Sequence, residues 1–362
     1  MALSRISLTQ FRNHRQTSLE ETRSFNLLVG ENGAGKTNVL EALSLFAPGR
    51  GLRRAPLGEI AASDAPGGFA VGASLDQADG GEPVRLATLV EPHRPGRRLV
   101  RVNGAEASAI SLSEWLSIFW LTPAMDRLFT DSAGARRRFM DRMALELDPA
   151  HARHASRYEA ALRERNRLLS DDHPPEPAWL DGVEAQLAEH GSALAQGRVR
   201  LIEAICAELA SLPEEPFARP ALRIIPGGPA QPADLAEALR QGRRQDRAAG
   251  RTLTGPHRDE LEVTMAGKGL PAATCSTGEQ KAMLIAITLA HATLAARGRP
   301  SLLLLDEVAA HLDPLRRETL FERLRESGAQ VWLTGTELAP FEAITGEAAV
   351  WRVDGGKLER VV

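Results

Sequence analysis

Residues 24–41 read SFNLLVGENGAGKTNVLE, an apolar run of strand length that meets a glycine-rich loop and then a helical pattern through Val39, Leu40, Leu43 and Leu45. Within it, Gly30-Glu31-Asn32-Gly33-Ala34-Gly35-Lys36-Thr37 matches GxxxxGK[ST] in full, and the match sits between a strand and a helix, the context this motif requires. The glycines let backbone N–H groups turn inward around phosphates. Lys36 reaches the β- and γ-phosphates, Thr37 offers its hydroxyl to Mg2+, and the helix N-terminus adds a favourable dipole. With Asn38 following, Gly30 to Asn38 are the candidate ATP-binding residues; the alternative is a plain glycine-rich turn.

The other half of a nucleotide site lies near the C-terminus, where Ser301 to Leu305 form an apolar strand that ends in Asp306-Glu307. Beside a phosphate loop, Asp306 would hold Mg2+ directly or through water, and Glu307 could polarise the attacking water as general base. Two acids at a solvated strand terminus are the alternative. Lys36, Asp306 and Glu307 are thus the candidate catalytic residues, with Thr37 and Asp306 the candidate metal ligands.

The 362 residues suffice for about two domains. With 43% hydrophobic and 25% charged residues the chain is globular and neither disordered nor collagen-like. Lys and Arg number 44 against 47 Asp and Glu, a net charge of −3, so any nucleic-acid binding must use a local patch. Cys206 and Cys275 stand far apart, which fits a reducing compartment and argues against structural zinc. The N-terminus has no apolar signal region and nowhere do 18 apolar residues run together, so a cytoplasmic location is expected.

Between residues 51 and 103, FAVGASL, VRLATLVE and RLVRVNG predict antiparallel strands flanking the first helix. From Ser132 to Leu212 the spacing is helical, broken by DDHPPEP at 171–177. Ala155, Tyr158, Leu162, Arg165 and Leu169 mark one helix, and Leu180, Val183, Leu187, His190, Leu194, Gly197 and Leu201 mark another, predicting an antiparallel hairpin. The second helix would span roughly 50 Å, far short of a long coiled-coil arm. RIIPGGPAQP at 223–232 reads as a linker, and the segment after it ends in a basic cluster with six arginines from Arg240 to Arg258 against one acid, Asp246.

Ser276-Thr277-Gly278-Glu279 opens a long helix, and S-x-x-E alone is a capping box. With Gln280 it also looks like the signature of ABC-type ATPases, in which a helix N-terminus and a serine contact the γ-phosphate bound by the opposite subunit. Ala310-His311-Leu312-Asp313 resembles the D-loop of those proteins, with Asp313 its acidic member. Ser276, Gly278 and Asp313 are therefore candidate nucleotide contacts made across a dimer.

The opening ISLTQFRNHRQ, the loop GENGAGKTNVLEAL, LTPAMDRLFTDSAGARRRFMD, LTGPHRDEL and SLLLLDEVAAHLD occur in the order seen in the RecF family of bacterial recombinational repair ATPases, and together cover nearly the whole chain. GPHRDE and RRRFMD are more diagnostic of that family than the phosphate loop. The resemblance implies an α/β fold: an ABC-type P-loop ATPase head, a mixed sheet with helices and a β-rich flank, with an inserted α-helical lid domain. Residues 1–122 and 251–362 would form the head and 123–250 the lid. It further implies weak, DNA-stimulated ATP hydrolysis, ATP-dependent homodimerisation and binding to double-stranded DNA at gaps or junctions. Cooperation with RecO and RecR in loading RecA, within DNA replication, damage repair and the SOS response, is implied as well.

Three positions depart from the ABC pattern. Thr334-Gly335-Thr336 stands where many such ATPases place a switch histidine, so slow hydrolysis is expected. No glutamine occurs in LTPAMDRLF, and Thr277 and Glu279 replace glycines usual in transporter signatures. Arg136, Arg137 and Arg138, or Arg240, Arg243, Arg244, Arg247 and Arg251, are the candidate DNA contacts, through phosphates and with little sequence preference. A single Tyr and few aromatics leave a stacking platform for single strands poorly supported. His257 reads as a surface or cap residue rather than a catalyst, Arg258 as a phosphate contact or a partner of Asp259, and Arg12 is placed near the base or ribose by the resemblance. The rivals are an SMC-type chromosome ATPase, a transporter subunit, and an ATP-gated scaffold with incidental turnover.

Overall fold

Alternating burial builds the first sheet and continuous burial the second. The computed structural model describes residues 3–63, 67–77, 80–171, 173, 176–213, 215–296, 299–309 and 312–361. Its contacts divide into two compact units, one formed by 1–125 with 288–362 and the other by 126–287.

The first unit opens with β1 (Leu3–Phe11), β2 (His14–Glu20), β3 (Phe25–Val29), α1 (Lys36–Ser44), β4 (Phe69–Leu75), β5 (Val84–Val90), β6 (Arg98–Val102), β7 (Ala105–Ala107), α2 (Leu112–Trp115) and β8 (Ser117–Leu121). In β4 and β5 every second residue is buried, Phe69, Val71, Ala73 and Leu75 on one and Val84, Leu86, Thr88 and Val90 on the other. That period of two suits a half-covered antiparallel sheet, ordered β2-β1-β4-β5-β6-β7.

The second unit holds α3 (Ala133–Leu147), α4 (Ala150–Ser170), α5 (Pro177–Ser211), β9 (Pro220–Ile225), α6 (Pro232–Ala249), β10 (Glu260–Met265) and β11 (Leu270–Pro271). The helices read from the sequence are α4 and α5; within the break between them, Asp172, Pro174 and Pro175 lie outside the described residues. Proline at the first helical turn starts α5 and α6, and Gly250 in the left-handed region (φ 64°) ends α6. Tyr158, Leu168 and Leu169 of α4, Leu180, Leu187 and Leu194 of α5, and Leu235 and Leu239 of α6 form one core. α5 has 35 residues, about 50 Å.

Two expectations change here. The start of the expected linker, Arg223 to Ile225, belongs to β9, which pairs antiparallel with β10 from Glu260↔Ile225 to Met265↔Pro220. Because β10 is held in this three-stranded sheet (β11-β10-β9), residues 251–287 fall in the second unit, so the return crossing comes after 287 rather than after 250.

α7 (Thr277–Ala296) carries the chain back to β12 (Ser301–Leu305), α8 (Pro314–Glu326), β13 (Gln330–Gly335), α9 (Glu342–Thr345), β14 (Ala348–Asp354) and β15 (Lys357–Arg360). β8, β12 and β13 are buried throughout, as parallel strands covered on both faces must be. The sheet order is β15-β14-β3-β13-β12-β8, parallel except for the antiparallel edge strand β15. Ile6 and Leu8 of β1, Val39, Leu40 and Leu43 of α1, and Leu302 and Leu304 of β12 share one core, so both sheets grip α1. Each such fully buried side chain contributes about 1.5–3 kcal/mol relative to exposure.

Candidate functional site

Strand register brings the two halves of the candidate nucleotide site together. Gly335 of β13 pairs with Val29 at the end of β3, and Leu333 pairs with Leu305 at the end of β12, so the phosphate loop, Thr334 and Asp306 emerge side by side at the carboxyl edge of the sheet. Gly33 (φ 83°) and Gly35 (φ 116°) take left-handed turns, and a Cβ on Gly30 would stand 2.2 Å from Val353 O. Ala34 N donates to Glu31 O at 3.2 Å, while Glu31, Asn32 and Gly33 are exposed.

Lys36 is buried, and its Nζ donates to Gly30 O at 2.6 Å and Glu31 O at 2.8 Å. Burial lowers the pKa of this ammonium, against the opposing charges of Glu307 and Asp306. Thr37 Oγ1 donates to Asp306 Oδ1 (2.9 Å) and Oδ2 (3.1 Å). Thr334 Oγ1 donates to Asp306 Oδ1 at 2.8 Å and accepts from Glu307 N at 2.9 Å. Glu307 itself adopts φ 54°, unusual for a residue with a Cβ. Thr37 and Asp306 present adjacent hard oxygens on a loop built for phosphate, a donor set that fits Mg2+.

The sequence marked Thr334 only as the place of an absent histidine and did not disclose that its hydroxyl fastens the acid that precedes Glu307. Nor did it disclose Asn13 and His14, which reach the phosphate loop from the β1–β2 turn. Arg12, in the same turn, has partners on α1 and on the segment that follows it. Its guanidinium pairs with Glu41 (Nε 2.9 Å, Nη2 2.7 Å) and donates to Glu59 O at 2.8 Å. Asn38 Oδ1 accepts from Arg53 at 2.6 Å.

The RecF/RecN/SMC N terminal domain family matches residues 2–345. A DNA replication and repair protein RecF from Brucella suis biovar 1 is 46% identical over 370 residues, covering 99% of this chain and 96% of the relative. The chain belongs to the RecF family. A second RecF, from Mesorhizobium japonicum, is 45% identical over 98% of this chain and 96% of its own. Among solved structures, the recombination mediator protein RecF-ATPrS in the RecFOR pathway superposes with a TM-score of 0.86 at 22% identity, covering 99% of this chain and 98% of that one. An Smc head domain from Pyrococcus furiosus gives 0.56 at 17% identity, covering 99% and 96%. The fold is the ABC-type ATPase head that RecF shares with SMC proteins.

In this RecF-family chain Ser276 and Gly278 belong to the second unit. Ser276 N and Oγ each donate to Glu279 Oε2 at 2.9 Å, and Glu279 N returns a bond to Ser276 Oγ at 3.3 Å, a complete capping box. Lys268 Nζ donates to the other carboxylate oxygen at 2.6 Å; Lys268, then Ser276, hold the Glu279 pKa down at about 2. A Cβ on Gly278 would meet nothing within 4 Å. Asp313 caps α8, accepting from Arg316 N at 3.0 Å; Ala310 and His311 of the D-loop segment lie outside the described residues.

Most of the candidate DNA-contact arginines are bonded internally. Arg136 forms a two-pronged pair with Glu260 (2.6 and 3.0 Å), and Arg137 donates to Asp259 O at 2.8 Å. Arg243 joins Asp181 and Glu184 of α5, Arg240 pairs with Glu237 at 2.7 Å, and Arg247 donates to Asp171 O at 2.7 Å. Arg138, Arg244 and Arg251 are exposed.

The family-diagnostic GPHRDE segment is a clasp within the second unit. His257 Nε2 lies 2.9 Å from Thr252 O and must donate there, leaving Nδ1 to accept from Tyr158 OH at 2.7 Å. Burial lowers the His257 pKa and raises that of Tyr158. Asp259 pairs with the buried Arg198 at 2.8 Å rather than with Arg258, which is exposed. Among the described residues, no helix is long and apolar enough to cross a membrane.

Proposed function

We propose that this RecF-family protein is an ATP-hydrolysing DNA-binding clamp of recombinational repair. The observation that carries the reading is the linked group Thr37–Asp306–Thr334–Glu307 beside the buried Lys36. Bound Mg2+ would neutralise charge on the β- and γ-phosphate oxygens. Lys36 would exchange Gly30 O and Glu31 O for phosphate oxygens, Thr37 and Asp306 would hold the cation, and the N–H groups of the loop would orient the triphosphate. Water adds to the γ-phosphorus, its proton passes to the Glu307 carboxylate, and the β,γ-phosphoanhydride breaks to ADP and phosphate.

Ser276, Gly278 and Asp313 would complete the site from a second subunit, making ATP the cement of a homodimer. Thr334, placed where an imidazole stands in faster ATPases, fits slow turnover that DNA stimulates. The dimer would hold duplex DNA at gaps through phosphate contacts and work with RecO and RecR in loading RecA, as the RecFOR pathway named for its structural neighbour suggests. Localisation is then cytoplasmic.

The test is ATPase activity per molecule against protein concentration. Sites completed in trans give specific activity that rises with concentration and then saturates; a flat profile across a wide dilution range contradicts the dimer.

A further inference from the structure

Two segments distant in sequence, the β1–β2 turn and the β14–β15 turn, converge on two consecutive carbonyls of the phosphate loop. Asn13 Nδ2 donates to Ala34 O at 2.9 Å, and Asn13 Oδ1 accepts from Asn38 Nδ2 at 2.7 Å. Gly356 N, in the β14–β15 turn, also donates to Ala34 O at 2.9 Å. His14, completely buried, sets Nε2 3.1 Å from Gly35 O and Nδ1 2.8 Å from Gly356 O. Burial lowers the His14 pKa, and the neutral ring carries a single N–H: placed on Nε2 it donates to Gly35 O, while Nδ1 faces the Thr17 hydroxyl at 3.2 Å, so the ring packs between the loop and the C-terminal hairpin.

The consequence follows from peptide geometry. In a planar trans peptide the C=O and the next N–H point in opposite directions. Asn13 and Gly356 hold Ala34 O, and His14 adds to the bond that Gly35 O already accepts from Asn38 N at 3.0 Å in the first turn of α1. The N–H groups of Gly35 and Lys36 are thereby aimed the other way, into the concavity that would receive phosphate. The packing leaves little slack. A Cβ on Gly35 (φ 116°) would stand 2.6 Å from Asn13 Nδ2, and one on Gly356 (φ 81°) would stand 2.1 Å from Asn13 O.

We infer that Asn13 and His14 are positioning residues for nucleotide binding, fixing the peptide planes of the phosphate cradle and tying it to the C-terminal hairpin. They act through the loop rather than on the nucleotide. The inference rests on reading Gly30 to Thr37 as the ATP site.

The experiment measures the dissociation constant of a fluorescent ATP analogue with Mg2+, and thermal unfolding without nucleotide, on the full chain. Asn13→Ala and His14→Ala should each weaken binding about tenfold, equivalent to about 1.4 kcal/mol. His14→Gln, which keeps one N–H donor, should recover part of the loss. Gln330→Leu is the control. Gln330, buried at the start of β13, bonds Leu3, Thr22 and Arg23 and, among the described residues, its side chain makes no hydrogen bond to the phosphate loop, so its loss should lower the melting temperature and leave affinity unchanged. Affinities of Asn13→Ala and His14→Ala within twofold of wild type, or an equal loss in Gln330→Leu, would overturn the inference. Failure of the wild-type chain to bind the analogue would overturn the nucleotide-site reading beneath it, before any variant is compared.

Discussion

Glu307 occupies a left-handed backbone conformation that costs a residue with a Cβ on the order of 1–3 kcal/mol unless its surroundings impose it. Thr334 is one such constraint, since its hydroxyl takes the Glu307 N–H and gives its own hydrogen to Asp306. Thr334→Val would strand that N–H, a loss of about 1–3 kcal/mol. It should lower the melting temperature and reduce kcat at least tenfold, with nucleotide affinity nearly intact. Glu307→Gln should lower hydrolysis roughly 100-fold or more while ATP still binds, as measured by phosphate release and equilibrium binding. That Lys36, Thr37, Asp306 and Glu307 come together was legible because the loop and strand-end motifs that suggest their chemistry are local in sequence. Thr334 was legible only as a missing histidine, because its partners come from another strand.

Among the elements of the second unit, α3, α4, α5 and α6 are joined by buried charge as well as by apolar stripes. Arg165 of α4 is fully buried, with Nε on Glu184 (3.0 Å), Nη1 on Asp246 (2.6 Å) and Thr252 (2.8 Å), and Nη2 on Leu239 O (2.8 Å). Arg165→Met leaves Glu184 and Asp246 without this cation and should cost about 3–5 kcal/mol in denaturant unfolding. Asp141 of α3 pairs with Arg198 and His151. Burial would raise its pKa, but Arg198 and His151 prevail and lower it from 3.8 to about 2. A depressed carboxylate stabilises fully above its unfolded pKa and loses that contribution as pH falls through its folded one. Stability worth about 2 kcal/mol should therefore disappear between about pH 4 and pH 2, and Asp141→Asn should flatten that part of the acid unfolding curve. The helical hairpin was legible because Leu180, Val183, Leu187 and Leu194 repeat at helical spacing. The ion pairs of Arg243 were not legible in the basic run from Arg240, because the acids that pair with it belong to α5, far away in sequence. β9 was hidden because its pairing with β10 depends on tertiary structure, while the prolines and glycines beside it suggest a linker.

At the scale of the whole molecule, one unit carries the proposed nucleotide site, built from both ends of the chain, while the other carries Ser276 and Gly278 at a helix start. If the proposed homodimer completes the site with that helix start from a second subunit, assembly would be a direct consequence of ATP binding. The most direct measurement is solution mass by light scattering on Glu307→Gln, with and without Mg-ATP. The account predicts a monomer without nucleotide and a dimer with it. A mass that stays monomeric while bound ATP is verified would contradict it.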